Sequence, residues 1–248
     1  MTGYSTLAVE ERGDRVVVTL DRPERRNAID QQMVDELHRV CATLEVQPRI
    51  LILTGSDGVF ASGADIAELR ERTAADAASG INDTIFTRIA MLPMPVIAAL
   101  DGYALGGGAE LAYAADLRIG TPRLRIGNPE TGLGIIAAAG ALWRLPHLVG
   151  LPLATELVLT GRILTGEEAL AAGLVLDLFE PGELLTGANA LADRIAANDP
   201  LATRLTKRVL REPAERHPAA EREAQAVLFE SPEKRRRMTE FLERRSRR

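Results

Sequence analysis

Cysteine is nearly missing from this chain. Cys41 is the only one among 248 residues, which excludes an internal disulfide and any cysteine-rich metal cluster. Histidine is almost as scarce: His38, His147 and His217 stand far apart and form no HxxxH pair, so a zinc site has little support. No apolar run is long enough to cross a bilayer. The longest uncharged stretches are Ile89–Leu100, which carries two prolines, and Thr131–Trp143. Both fall short of the roughly 20 apolar residues a spanning helix needs. The first residues have neither a basic segment followed by an apolar one nor the Arg/Ser-rich character of a transit peptide. Lysine is reduced to Lys207 and Lys234 against 28 arginines, a bias that, with the abundant alanine, reflects codon usage rather than function. Together these shortages point to the cytoplasm, to no membrane association, and to chemistry without a tightly bound transition metal.

What is present is an ordinary globular composition, 46% hydrophobic and 26% charged. The length suits one large unit or one domain with an appendage. The net charge of −5 is unevenly spread: residues 201–248 hold 14 Lys/Arg and 8 Asp/Glu, so this segment is basic and the remainder strongly acidic. Such a tail fits a solvated helix face, a phosphorylated small ligand or nucleic acid, in that order of expectation.

The first half alternates strand and helix patterns. Leu7–Val9 and Arg15–Leu20 read as strands joined by a turn at Arg12–Asp14. Asp30 reads as a helix N-cap, with Met33, Val34, Leu37, Val40, Cys41 and Leu44 at helical spacing behind it. Ile50–Thr54 and Val96–Leu100 are short continuous apolar runs, as expected of strands buried on both faces. Residues 65–92 read as helix in two pieces, stopped by Pro93 and Pro95. A glycine-rich turn then opens a helix over Gly107–Ala115, and Leu117–Gly120 is a further strand. From Leu151 the pattern is almost wholly helical, with segments near 152–160, 166–172, 182–198, 200–211, 214–229 and 232–246. The expected division is a β/α core over 1–190 and a helical region over 191–248.

Two turns carry candidate chemistry. Asp101–Glu110 (DGYALGGGAE) places three glycines between a strand and a helix, which permits close backbone approach by a ligand. The first amides of that helix have no intrahelical acceptor and suit an anion or a polarised oxygen. Val59–Ile66 (VFASGADI) likewise follows a buried strand and leads into a helix. One amide from each turn would make a two-donor oxyanion hole. Glu110, one helical turn beyond Gly107, would project beside whatever that amide holds. Glu130, in Gly127–Gly134 (GNPETGLG), is a second candidate. Two carboxylates flanking an activated carbonyl suit acid–base work. Each glutamate also has a plain alternative, Glu110 on the surface and Glu130 as a first-turn acid on a helix dipole.

In order along the chain, RPERRNAI at 22–29, VFASGADI at 59–66, DGYALGGGAE at 101–110 and NPETGLGIIAAAGALWRL at 128–145 resemble the enoyl-CoA hydratase/isomerase (crotonase) family. TGRILTGEEALAAGLV at 160–175 and SPEKRRRMTEFLERR at 231–245 are similar to it too, so the likeness runs through nearly the whole chain. The resemblance implies an α/β fold, a β–β–α spiral core with C-terminal helices that drive assembly as a homotrimer or dimer of trimers. It implies an acyl-CoA substrate, with no metal and no separate cofactor. By resemblance the amides of Ala64 and Gly107 form the oxyanion hole, and Glu110 and Glu130 are the two catalytic glutamates. Arg25, Arg26, Ala28, Ala61, Gly63, Asp65, Ile66, Gly106, Pro129 and Phe241 lie along the substrate and CoA. The implied reaction is hydration of 2-enoyl-CoA. Alternatives are another reaction of the family (double-bond isomerisation or thioester hydrolysis) and a non-catalytic CoA- or nucleic-acid-binding scaffold. Where many hydratases have IPGAGGTQRL, this chain has IAAAGALWRL at 136–145. Ala137, Ala138, Ala141 and Leu142, with Trp143, are therefore expected to reshape the acyl site. Glu24 replaces a lysine that some relatives set beside the CoA phosphates, and Arg25 or Arg26 would compensate.

Overall fold

Strand pairing starts from the β-branched run after Arg15. In the computed structural model, which describes residues 3–246, β1 (Leu7–Arg12) folds back antiparallel on β2 (Arg15–Leu20). Helix α1 (Gln31–Val46) follows, capped by Asp30, whose carboxylate accepts from the Met33 amide at 2.8 Å. Its apolar positions Met33, Val34, Leu37, Val40, Cys41 and Leu44 are all buried. At roughly 1.5–3 kcal/mol for each large side chain removed from water, this face dominates the helix's stability. Burial also pushes the Cys41 thiol up to about 12.

The chain then enters β3 (Ile50–Gly55), and after a loop come three short helices, α2 (Ile66–Glu71), α3 (Ala74–Ser79) and α4 (Ile81–Ala90). The expected two pieces are thus three. Thr73 and Asp76 form a capping box that starts α3, and Gly80, at φ 66°, ends it and begins α4. Beyond Pro93 and Pro95 lie β4 (Val96–Leu100), β5 (Tyr103–Leu105), α5 (Gly107–Ala114), β6 (Leu117–Gly120) and β7 (Arg125–Gly127). Then come α6 (Ala141–Val149), α7 (Leu151–Thr160), β8 (Ile163–Thr165), α8 (Gly166–Ala171) and α9 (Leu184–Ala196).

One sheet has the order β1-β2-β3-β4-β6, parallel from β2 onward, with Leu51 facing Val96 and Leu53 facing Ala98. Strand β4 is buried along its whole length. A second small sheet has the order β5-β7-β8. The loops that leave the C-terminal ends of β3 and β4 therefore emerge side by side, the usual place for ligands in parallel sheets. They are also stitched together. The Phe60 amide donates to Asp101 O at 2.8 Å, Ala61 N to Tyr103 O at 2.9 Å, and Leu105 N back to Ala61 O at 3.0 Å.

The chain divides into two compact units, one running to Ala192 and the other from Asp193. The second contains α10 (Pro200–Leu210), α11 (Ala219–Phe229) and α12 (Pro232–Ser246). The single helix expected near 214–229 is shorter, because Pro218 separates a 3-10 turn at Ala214–Arg216 from α11. On α12, Glu233 pairs with Arg236 and Arg237, and Glu240 pairs with Arg236 and Arg244. Much of the basic tail is thus an ion-paired helix face. Among the described residues, no helix is long and apolar enough to cross a membrane.

Gly108 shows how tightly the two loops meet. A β-carbon there would stand 2.4 Å from Ala61 O and 2.8 Å from Ala61 Cβ. Neither neighbour can swing aside, since the Ala61 carbonyl is held by Leu105. Gly108→Ala is expected to destabilise the fold by about 1–3 kcal/mol, the usual scale of overpacking. Urea unfolding of the variant beside the native chain measures it.

Candidate active site

Helix α5 begins at Gly107, and its first closed hydrogen bond runs from the Glu110 amide to Gly106 O at 2.9 Å. The Gly107 N–H therefore has no intrahelical acceptor. Gly106 enters the helix at φ 50° and ψ −123°, a conformation that needs glycine. From the neighbouring loop comes Ala64, whose β-bridge to Ile29 is closed by Ile29 N to Gly63 O at 2.8 Å and Asp65 N to Ile29 O at 3.0 Å. A β-carbon on Gly107 would lie 3.4 Å from the Ala64 nitrogen, so the two amides border one small space.

That space opens into a cavity of about 780 Å³. Of the residues expected at the site, Gly63, Ala64, Ile66, Gly106, Gly107, Glu110, Pro129 and Glu130 line it. Leu69, Ile81, Leu133, Ile135, Ile136, Ala138 and Ala139 add apolar wall. Ala61 is fully buried with both backbone groups bonded to β5, and it shapes the turn. Arg25 and Arg26 are exposed beside the same loop, where their carbonyls accept from Ser62 Oγ at 3.4 Å and Ser62 N at 3.1 Å. Ala28 O accepts from Arg22 Nη1 at 2.6 Å, and Arg22 also pairs with Asp30 at 3.0 Å and Asp65 at 3.5 Å. Asp65 caps α2. Phe241 lies on α12 in the second unit and is 63% exposed.

Both glutamates are buried, not on the surface. Glu110 Oε1 accepts from the Ala139 amide at 2.7 Å and the Ala141 amide at 3.0 Å. Burial pushes its pKa up to about 7; the two amides oppose the shift, the nearby Glu130 charge adds to it, and Arg144 counters it. Glu130 opens a 3-10 turn. Its Oε1 accepts from Asn128 Nδ2 at 3.3 Å, Asn128 Oδ1 accepts from the Tyr113 hydroxyl at 3.1 Å, and Oε2 is buried without a partner. Burial raises the Glu130 pKa too, against the pull of its own backbone amide and Asn128. The missing Cβ of Gly106 matters here, since it would stand 3.1 Å from Glu130 Oε1.

The sequence reading omitted several of these parts. Asn128 sits inside a quoted block, yet nothing in its spacing marks it as the partner of Glu130. The amides of Ala139 and Ala141 have no side-chain signature at all. Gly140, at φ 129°, packs against the buried Arg144 guanidinium, which donates to Ala139 O and Thr87 Oγ1, each at 3.1 Å. Asn82 also lines the cavity, and its Nδ2 lies 3.6 Å from the Gly107 β-position. The altered 136–145 segment acts differently from expectation. Of its five substituted positions only Ala138 lines the cavity; Ala137 and Ala141 turn into the core, and Leu142 and Trp143 point outward, 48% and 56% exposed.

The raised Glu110 pKa has a sign for stability. Between the ordinary value of 4.5 and about 7 the native state holds a proton that the unfolded chain has released. Stability contributed by this group therefore falls as pH rises through that window, and the penalty is complete above it. Glu110→Gln removes the penalty. Relative to the native chain, the variant is expected to gain about 3 kcal/mol between pH 4.5 and pH 8, read from denaturant unfolding of both proteins at both pH values.

Comparison with known proteins agrees with this architecture. The model of the enoyl-CoA hydratase/isomerase family matches residues 11–248. A short-chain-enoyl-CoA hydratase of Clostridium acetobutylicum is 36% identical over 250 residues, covering 97% of this chain and 96% of the relative. A 2,3-dehydroadipyl-CoA hydratase of Escherichia coli is 38% identical over 218 residues, 85% of this chain and 84% of its own. The crystal structure of an enoyl-CoA hydratase from Bacillus anthracis superposes with a TM-score of 0.92 at 30% identity, over 97% of each chain. With sequence likeness along nearly its whole length and the crotonase fold around the cavity, the chain belongs to the enoyl-CoA hydratase/isomerase family.

Proposed function

We propose that the protein is an enoyl-CoA hydratase, adding water across the C2–C3 double bond of 2-enoyl-CoA to give 3-hydroxyacyl-CoA. The observation that carries this reading is the pair of buried glutamates, both with raised pKa, in the cavity that the free amides of Ala64 and Gly107 border. Relatives over nearly the full length carry the hydratase name.

The chemistry needs four parts. A thioester conjugated to a double bond is electrophilic at C3. As water adds there, negative charge develops on the thioester oxygen, where the Ala64 and Gly107 amides would receive it. One glutamate takes a proton from the water while the other delivers one to C2. The Glu130 charge helps to raise the Glu110 pKa, so the pair favours a state in which one member is ionised while the other is protonated. Hydration exchanges these states: the base ends protonated and the acid ends ionised. CoA arrives with the substrate, and no step calls for a metal or a redox cofactor. In this reading the exposed Arg25 and Arg26 face the phosphates of CoA, and Ile66 and Pro129 contact substrate or carrier.

Glu110→Gln and Glu130→Gln are each expected to cut crotonyl-CoA hydration by roughly 10²–10⁴. The double variant should lose much less than the product of the two, because both groups serve one water and one transition state. Assaying Glu110→Gln on both a 2-enoyl-CoA and a 3-enoyl-CoA separates hydration from double-bond isomerisation, which needs one base. Near-normal hydration by Glu110→Gln overturns the assignment.

We further propose assembly as a homotrimer or a dimer of trimers. In the second unit, Leu210, Phe229, Met238, Phe241 and Leu242 are each at least half exposed, more large apolar surface than a free helical region carries. Light scattering at micromolar concentration is expected to give three or six chains, and a monomer there refutes the proposal.

A further inference from the structure

Asn82 is the second residue of α4 and part of the cavity wall. Its Oδ1 is buried with no hydrogen-bond partner. Among the described residues, none accepts from its Nδ2 either. A buried acceptor left unpaired is costly, and a wall that needed only bulk would use an aliphatic side chain. With the oxygen enclosed, the amino end of the carboxamide is the end left for the cavity. It lies beside a defined place: the position a Gly107 β-carbon would occupy is 3.6 Å from Asn82 Nδ2 and 3.4 Å from the Ala64 nitrogen. Gly107 leaves that position empty, and its own unpaired amide borders it. Three donor nitrogens, two from backbone and one from a side chain, thus lie close to one small space.

We propose that Asn82 is a third hydrogen-bond donor to the thioester oxygen of the bound acyl-CoA, and hence a catalytic residue. The proposal rests on the acyl-thioester reading of the cavity given above. A neutral donor suits this place. The same cavity contains Glu110 and Glu130, so negative charge developing on the oxygen is opposed by nearby carboxylates. A carboxamide meets it without introducing a cation that would pair with those carboxylates and lower their pKa values. Held in the wall, its dipole needs little reorganisation as charge develops.

The test uses the whole protein and a thioester whose colour reports carbonyl polarisation, 4-(dimethylamino)cinnamoyl-CoA. Its absorption moves to longer wavelength as its carbonyl oxygen takes up negative charge, so no turnover is needed. The native chain is expected to shift it strongly. Asn82→Leu should bind it within about threefold of native affinity and lose a clear part of the shift. The same variant should hydrate crotonyl-CoA roughly tenfold more slowly with KM little changed, less than the roughly 10²–10³ of losing an oxyanion-hole donor outright. Asn82→Asp keeps the size of the side chain and suits a first helical turn, so it folds; its carboxylate should reduce both shift and rate further. A full shift and full rate in Asn82→Leu overturn the proposal. A loss confined to acyl chains that carry an oxygen substituent also overturns it, and makes Asn82 a reader of the chain. Binding without any shift in the native protein overturns the thioester reading of the cavity itself, and this proposal with it.

Discussion

The contact of Gly108 with the carbonyl of Ala61 is the constraint on which the rest of the site depends. It exists because the loops leaving two adjacent parallel strands are themselves hydrogen-bonded, through Phe60, Ala61, Asp101, Tyr103 and Leu105. Only a residue without a side chain lets α5 start against that stitched pair. Once it does, the unpaired amide at the start of α5 and the amide of Ala64 border the same space, and Glu110 follows one turn later on a buried face. Neighbouring glycines serve the same geometry in other ways. Gly106 makes the entry into the helix and clears room for Glu130, and Gly107 leaves open the position between Ala64 and Asn82.

A site built this way must keep two acids out of water without losing them to the core. The structure does so with neutral partners. Glu110 is held by two backbone amides, and Glu130 by an asparagine that a tyrosine orients. Such bonds fix position, yet they leave burial as the larger influence on protonation, so both pKa values stay high. An arginine bonded directly to either carboxylate would pull it down and leave a permanent ion pair where a proton carrier is wanted. Arg144 lowers the Glu110 pKa through its charge, and it donates to Ala139 O and Thr87 Oγ1. It braces the segment that supplies the amides while the acid itself remains free to titrate.

Much of this was legible in the sequence, and the gaps have physical causes. The central strands were readable because a buried parallel strand is a continuous apolar run, as at Ile50–Thr54 and Val96–Leu100. Asp30 and the glycine turns were readable because caps and turns demand particular residues. Strands β5, β7 and β8 span three residues each, too short for a period of two to register against background. The third helical piece between Ile66 and Ala90 was hidden by alanine, which suits a helix interior and a helix end alike, so its only markers were the Thr73–Asp76 capping box and Gly80. The glutamates were visible as candidates, but their partners were not: backbone amides carry no letter, and Asn128 and Asn82 are common residues whose importance lies in what they face. The 136–145 segment misled for a related reason. Substituted letters show that volume was added, whereas only the backbone path decides whether that volume enters the cavity or, as at Ala137, Ala141 and Trp143, goes elsewhere.

Cys41 carries a practical consequence. It is packed inside α1's buried face, its thiol needs strongly alkaline conditions to ionise, and the chain has no other sulfhydryl. Electrophilic labels react with thiolates, so the native chain is close to silent toward maleimides and iodoacetamides. A cysteine introduced at an exposed position, such as a loop rim or the outer side of α12, would take up a fluorophore or spin label alone. Distances between labelled positions could then be followed with the native sequence otherwise untouched, and mild oxidants would find no native thiol to convert.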